Sequence, residues 1–135
     1  MIGLDTGFFV ELVRANQQAL DVFNEIIEGQ DSCVSCLTLY ELKRLSLRGS
    51  IPSEAGSALV EDIMSFCSVS WLDNLKVHEL AAGLSHDFGI PGIDSLILAG
   101  LITLKANRIY TTDRHIMGYQ EKGTSVVLIP PIPRK

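Results

Sequence analysis

Short apolar runs alternate with longer stretches whose apolar residues recur at helical spacing, almost from one end of this chain to the other. That alternation is the pattern of an α/β fold, a central parallel sheet of about five strands flanked by helices. Residues 1–4 read as the first strand. Phe8, Phe9, Leu12 and Val13, then Leu20, Phe23, Ile26 and Ile27, return every three to four positions and predict two helices, the second ended by Gly29. A second strand is expected over about 32–37, followed by a helix through Leu39, Leu42 and Leu45 that stops before Gly49. Ile51-Pro52-Ser53 opens another helix, with Leu59, Val60, Ile63, Met64 and Phe66 on its apolar side. The third strand is Ser68 to Leu72.

Val77, Leu80, Ala81, Leu84 and Phe88 then define an amphipathic helix ending at Gly89, near Pro91. From Ile93 to Ala106 nearly every position is apolar or small, which predicts a helix buried over most of its circumference. A strand over 108–112, a short helix over 116–120 and a last strand over 125–129 complete the series, closed by Pro130, Pro131 and Pro133. With 135 residues and 47% hydrophobic composition, residues 1–135 are expected to form one domain with a self-sufficient core. The first residues show no basic region followed by a long apolar one, and no later apolar run is long enough to span a bilayer. A cytoplasmic protein is expected.

Three cysteines cannot all pair within one chain, and apolar surroundings suit Cys33, Cys36 and Cys67 as reduced, buried thiols. The Cys33-x-x-Cys36 spacing does not read as a zinc site. Both residues are expected on one strand, where positions three apart face opposite ways, and His78, His86 and His115 stand isolated. The formal net charge of -5 argues against a free-standing basic nucleic-acid binder, although bound divalent ions can draw phosphate to an acidic site.

Four acids have a position in common. Asp5, Glu41, Asp94 and Asp113 each stand where a strand-like or loop segment gives way to a helix-like one. Taken singly, each suits a helix cap or a dipole contact, and Thr38-Leu39-Tyr40-Glu41 matches a capping box. Taken together they converge, because parallel strands carry their carboxyl ends to one edge of the sheet, where ligands of open α/β folds bind. A carboxylate set without Cys or His suits Mg²⁺ or Mn²⁺. Lys43, Arg44 and Arg48, and then Lys105, Arg108, Arg114 and His115, each read singly as solvated surface charges, and as two groups are placed where they could flank the pocket.

Gly3-Leu4-Asp5-Thr6, Leu37-Thr38-Leu39-Tyr40-Glu41-Leu42, Ile93-Asp94-Ser95-Leu96-Ile97-Leu98-Ala99 and Ile109-Tyr110-Thr111-Thr112-Asp113-Arg114 occur in that order. In this the chain resembles the PIN-domain family, specifically its short VapC-type toxins, over essentially its whole length. The resemblance implies that Asp5, Glu41, Asp94 and Asp113 are metal-binding acids of a Mg²⁺- or Mn²⁺-dependent endoribonuclease. It makes Thr6, Ser95 and Thr112 hydroxyls that orient a ligand or a water. It also implies a homodimer held inactive by an antitoxin; Phe8, Phe9 and Leu12 read equally well as contributors to such interfaces and as core residues. The chain departs from the family at Gly7, where a small polar residue often follows the Asp-Thr pair. One alternative is a non-catalytic PIN-fold subunit that binds RNA or protein. Another is a receiver-like phosphoacceptor built on Asp73, which lacks the acidic pair and the late lysine such a site needs.

Overall fold

The computed structural model describes residues 1–119 and 123–133. Five short strands, β1 (Ile2–Leu4), β2 (Ser32–Ser35), β3 (Ser68–Ser70), β4 (Arg108–Thr111) and β5 (Ser125–Leu128), hydrogen-bond in the order β3-β2-β1-β4-β5. Every pairing is parallel, with Gly3 opposite Cys33 on one side and Ile109 on the other. Successive side chains on a strand face opposite ways, so the sheet divides the core in two. Ile2, Leu4, Val34 and Tyr110 pack under α1 (Thr6–Val13), α2 (Gln17–Ile27), α3 (Cys36–Leu47) and α4 (Ser53–Phe66). Cys33, Ile109 and Val126 pack under α5 (Leu75–Phe88) and α6 (Gly92–Thr103). The receiver-like alternative fails here, since that fold orders its strands 2-1-3-4-5.

The uniformly apolar stretch forms α6, which buries Ile97, Leu98, Ala99, Gly100 and Leu101. Two glycines let it lie close. A Cβ on Gly3 would stand 3.1 Å from Ala106 Cβ and 3.2 Å from Leu101 Cδ1, and one on Gly100 would stand 2.7 Å from Ser70 Oγ. The helix ends at Thr103, short of the expected Ala106, where Lys105 takes a positive φ of 75° and turns the chain into β4. No helix among the described residues is long and apolar enough to cross a membrane.

Several boundaries differ from expectation. β1 starts at Ile2, β3 ends at Ser70, β4 at Thr111 and β5 at Leu128, each a residue or two inside its apolar run. β2 stops at Ser35 because the Ser35 hydroxyl accepts the Leu37 amide at 3.1 Å and starts α3 at Cys36. Cys36 therefore belongs to a helix rather than to the strand of Cys33. The Thr38–Glu41 capping box is absent for the same reason, with Thr38 fully buried inside α3. Of the two readings of Phe8 and Phe9 the core one holds, their buried rings meeting edge to face at 5.2 Å. Burial of each contributes on the order of 1.5–3 kcal/mol. The late helix is a single 3-10 turn over Ile116–Gly118, and the expected continuation to Gln120 lies outside the described residues. All three cysteines are free, and burial pushes the Cys33 thiol up to about 12.

Candidate active site

Beside β1 the strand order changes direction, with β2 on one side and β4 on the other. A crevice opens outside the carboxyl ends of strands at such a point. Asp5 leaves β1 directly into it as the cap of α1, its Oδ1 accepting the Phe8 amide at 2.9 Å. Its Oδ2 accepts the hydroxyl of Thr111, the last residue of β4. Thr111 Oγ1 in turn accepts the Asp113 amide at 2.9 Å, so one buried hydroxyl sets both acids. Asp113 Oδ1 accepts the His115 amide at 2.9 Å and lies 3.0 Å from His115 Nδ1.

Glu41 comes from the middle of α3, not from its start. Its Oε1 accepts the Thr6 hydroxyl at 2.5 Å, and Thr6 Oγ1 lies 3.0 Å from Thr38 Oγ1. That chain of hydroxyls joins the first turn of α1 to α3. Asp94 sits in the first turn of α6, where Pro91 precedes the helix and supplies no side-chain cap. Asp5, Glu41, Asp94 and Asp113 thus line one cavity of about 210 Å³, together with Thr6, Gly7, Ile97, Thr112 and Ile116.

Crowding alters their charge. Burial pushes Asp5 up to about 6, against the Thr111 and Phe8 hydrogen bonds that favour its anion, and the charge of Asp113 adds to the rise. Asp94 also rises to about 6, first through burial, then through a hydrogen bond with Asp113, then through the charges of Asp113, Glu41 and Asp5. Asp94 therefore feels the other three acids. As they stand, no three acid, His or Cys side chains among the described residues are gathered closely enough to grip one ion. The donor set nevertheless fits a hard cation, because Mg²⁺ keeps several waters and takes only one or two carboxylates directly.

The profile of the PIN domain family matches residues 2–121. The chain belongs to the PIN-domain family. Among solved structures it is similar to a toxin-antitoxin complex from Klebsiella pneumoniae, with 16% identity over 98% of this chain and 100% of that one, at a TM-score of 0.72. It is also similar to VapBC2 from Rickettsia felis bound to a DNA fragment from their promoter, with 16% identity over 95% of this chain and 98% of that one, at a TM-score of 0.68. No curated protein matches the chain.

The basic residues of this PIN domain divide into two sets. Arg114 and His115 follow Asp113 directly, and Arg44 is exposed on α3 one turn beyond Glu41. The others do not flank the acids. Lys43 lines a groove between α3 and α4 with Leu39 and Val60, and Arg48 lines another with Val10 and Arg14. Lys105 and Arg108 lie at the opposite edge of the sheet, where β4 begins, and Arg108 Nη1 donates to the Tyr110 hydroxyl at 3.0 Å. Ser95 is turned away from the ligand role, its hydroxyl donating to the Gly92 carbonyl at 2.7 Å. Thr111 had not been singled out from sequence. Its signal was a hydroxyl at a position that the fold buries between two acids.

Proposed function

We propose that this PIN domain, read as one unit over residues 1–135, is a metal-dependent endoribonuclease that hydrolyses RNA phosphodiester bonds. Asp5, Glu41, Asp94 and Asp113 are its metal-binding acids. The observation that carries the reading is the convergence of four carboxylates from four separate segments in one small cavity, where burial and mutual repulsion hold Asp5 and Asp94 well above ordinary carboxylates. Acids perturbed by burial and by neighbouring charge in a cleft are candidates for a functional site. RNA as the substrate class, a toxin role, a cytoplasmic setting, a homodimer and an antitoxin partner rest on the VapC resemblance and on the toxin-antitoxin complexes that share the fold.

A bound Mg²⁺ or Mn²⁺ supplies Lewis-acid chemistry, offsetting charge on the phosphoryl oxygens and acidifying water. The protein's own groups do the rest. Thr111 and the Phe8 amide lock Asp5, and Thr6 locks Glu41, so both carboxylates hold their positions before a ligand arrives. Asp94 and Asp113 share a hydrogen bond, and one of the four carboxylates accepts the proton of the attacking water. Ile97 and Ile116 narrow the cavity with apolar surface.

Asp94→Asn tests the assignment, since it keeps the size of the side chain while removing its charge. Metal-dependent cleavage of RNA should fall by at least a hundredfold, and circular dichroism should show an unchanged fold. Cleavage at the parent's rate would sink the catalytic assignment. A second reading, a PIN-fold subunit that binds without turnover, is favoured by the engagement of Asp5 and Glu41 in hydrogen bonds within the protein. It predicts RNA or protein binding with no metal-dependent cleavage by the parent.

A further inference from the structure

The hydroxyls around the four acids are almost all engaged. Thr6 donates to Glu41, Thr111 to Asp5 and Ser95 to the Gly92 carbonyl, while Thr38 meets Thr6. Thr112 differs. Its amide is turned onto the Asp5 carboxylate, which fixes its backbone, yet its side-chain hydroxyl bonds to no other described residue and lines the cavity.

Gly7 faces that hydroxyl. A Cβ at position 7 would overlap Thr112 Oγ1, lie 3.0 Å from Thr112 Cβ and 3.3 Å from its Cγ2. Rotation about χ1 moves the hydroxyl but leaves the Thr112 Cβ itself at 3.0 Å, tighter than ordinary contact in every rotamer. Gly7 lies in the first turn of α1 without a positive φ, so the backbone does not require glycine there, and glycine weakens a helix. The contact with Thr112 is what the missing side chain accommodates.

The cavity's chemistry says what the hydroxyl is for. Carboxylates of the ionised acids only accept hydrogen bonds, Ile97 and Ile116 offer none, and Thr6 has given its proton to Glu41. Phosphodiester oxygens also only accept. A cavity meant for phosphate lacks side-chain donors except at Thr112.

We propose that the Thr112 hydroxyl donates to a non-bridging oxygen of the bound phosphodiester, and that Gly7 is the vacancy that lets it point there. The assignment rests on the nuclease reading above and adds a substrate-contacting residue to it. Residues 7 and 112 then form an exchangeable pair, in which either position can carry the hydroxyl provided the other has no Cβ.

The test uses purified protein, Mn²⁺ and a randomised single-stranded RNA pool. Thr112→Val keeps the shape and loses the donor, and its kcat should fall roughly ten- to a hundredfold. In an Asp94→Asn background, where cleavage is suppressed, Thr112→Val should also weaken RNA binding several-fold while calorimetry finds the affinity for Mn²⁺ alone unchanged by it. Thr112→Ser should recover cleavage to within a few-fold of the parent. Gly7→Ser combined with Thr112→Gly, which removes the Cβ that stands 3.0 Å from a side chain at position 7, should cleave faster than Thr112→Gly alone. Parent-like cleavage by Thr112→Val, or a double variant no better than Thr112→Gly, overturns the hydroxyl assignment and leaves the nuclease reading standing. A parent that cuts no RNA with Mn²⁺ removes both. Melting curves identify any variant that fails to fold, and the shape-preserving Thr112→Val and Thr112→Ser keep the question decidable.

Discussion

Asp5 shows how one side chain can be both a cap and a site. Its Oδ1 closes the first turn of α1 in the ordinary way of an N-cap, while its Oδ2 is held by Thr111 at the end of β4. Capping and convergence on the site are not alternatives at this position. The same side chain sets a pH dependence. Its folded pKa, raised to about 6, means that the native protein holds a proton the unfolded chain releases near 4. The associated stability is complete below about pH 4 and is lost as pH rises through about 6, a change on the order of 3 kcal/mol for so buried a group. Asp94 acts in the same direction over the same window. Metal-free protein should therefore melt at a lower temperature at pH 7 than at pH 5. Asp94→Asn should flatten that slope, and thermal melts in chelator across this range check it; equal slopes in parent and variant would remove Asp94 from the cause.

Helices and strands were legible from sequence wherever the pattern reflected burial. The all-apolar run became α6, and the apolar residues at 59 and 63 became the buried side of α4. What failed was local hydrogen bonding. The Ser35 cap ended β2 early, and with it fell the capping box and the placing of Cys36 on a strand. A second feature left no pattern to read. Glu11 is buried on α1, where it accepts from Arg14 Nη1 at 3.0 Å, Asn16 Nδ2 at 3.2 Å and the Ile132 amide at 2.7 Å. Asn16 Nδ2 also reaches the Pro130 carbonyl at 3.0 Å, so the segment after β5 is tied to the turn between α1 and α2. A lone Glu between Val10 and Leu12 looks like a solvated helix charge until that partner segment arrives from the far end of the chain. Glu11→Ala removes the acceptor shared by Arg14 Nη1, Asn16 Nδ2 and the Ile132 amide, while Arg14 keeps the Ile132 carbonyl and Asn16 the Pro130 carbonyl, which should cost about 2 kcal/mol. The melting temperature should drop by several degrees, with RNA cleavage at low temperature retained; an unshifted melt would show that the clasp contributes nothing.

Across the whole molecule the puzzle is how a chain of net charge -5 would hold a polyanion. Convergence of the acids followed from topology, since parallel strands must end on one edge; the placing of the basic residues did not, because helix faces and strand ends cannot be assigned from charge alone. Arg44 and Arg114 stand on the acidic side, whereas Lys43 turns to the groove between α3 and α4 and Arg108 lies at the opposite edge. On the proposed nuclease reading, a small basic rim beside a cavity whose acids are offset by a cation would hold a single strand. Arg44→Ala and Arg114→Ala should therefore weaken RNA association, and each should lower the slope of log affinity against log salt by about 0.7. Arg108→Ala should change neither quantity. The acidic variants should behave in the opposite sense, with Asp94→Asn keeping or improving RNA affinity, because a negative charge leaves the cavity, while cleavage is lost. Filter binding at several salt concentrations, run beside the cleavage assay, separates the two sets. Equal salt slopes for Arg44→Ala, Arg114→Ala and Arg108→Ala would mean that RNA approaches the acids from some other side.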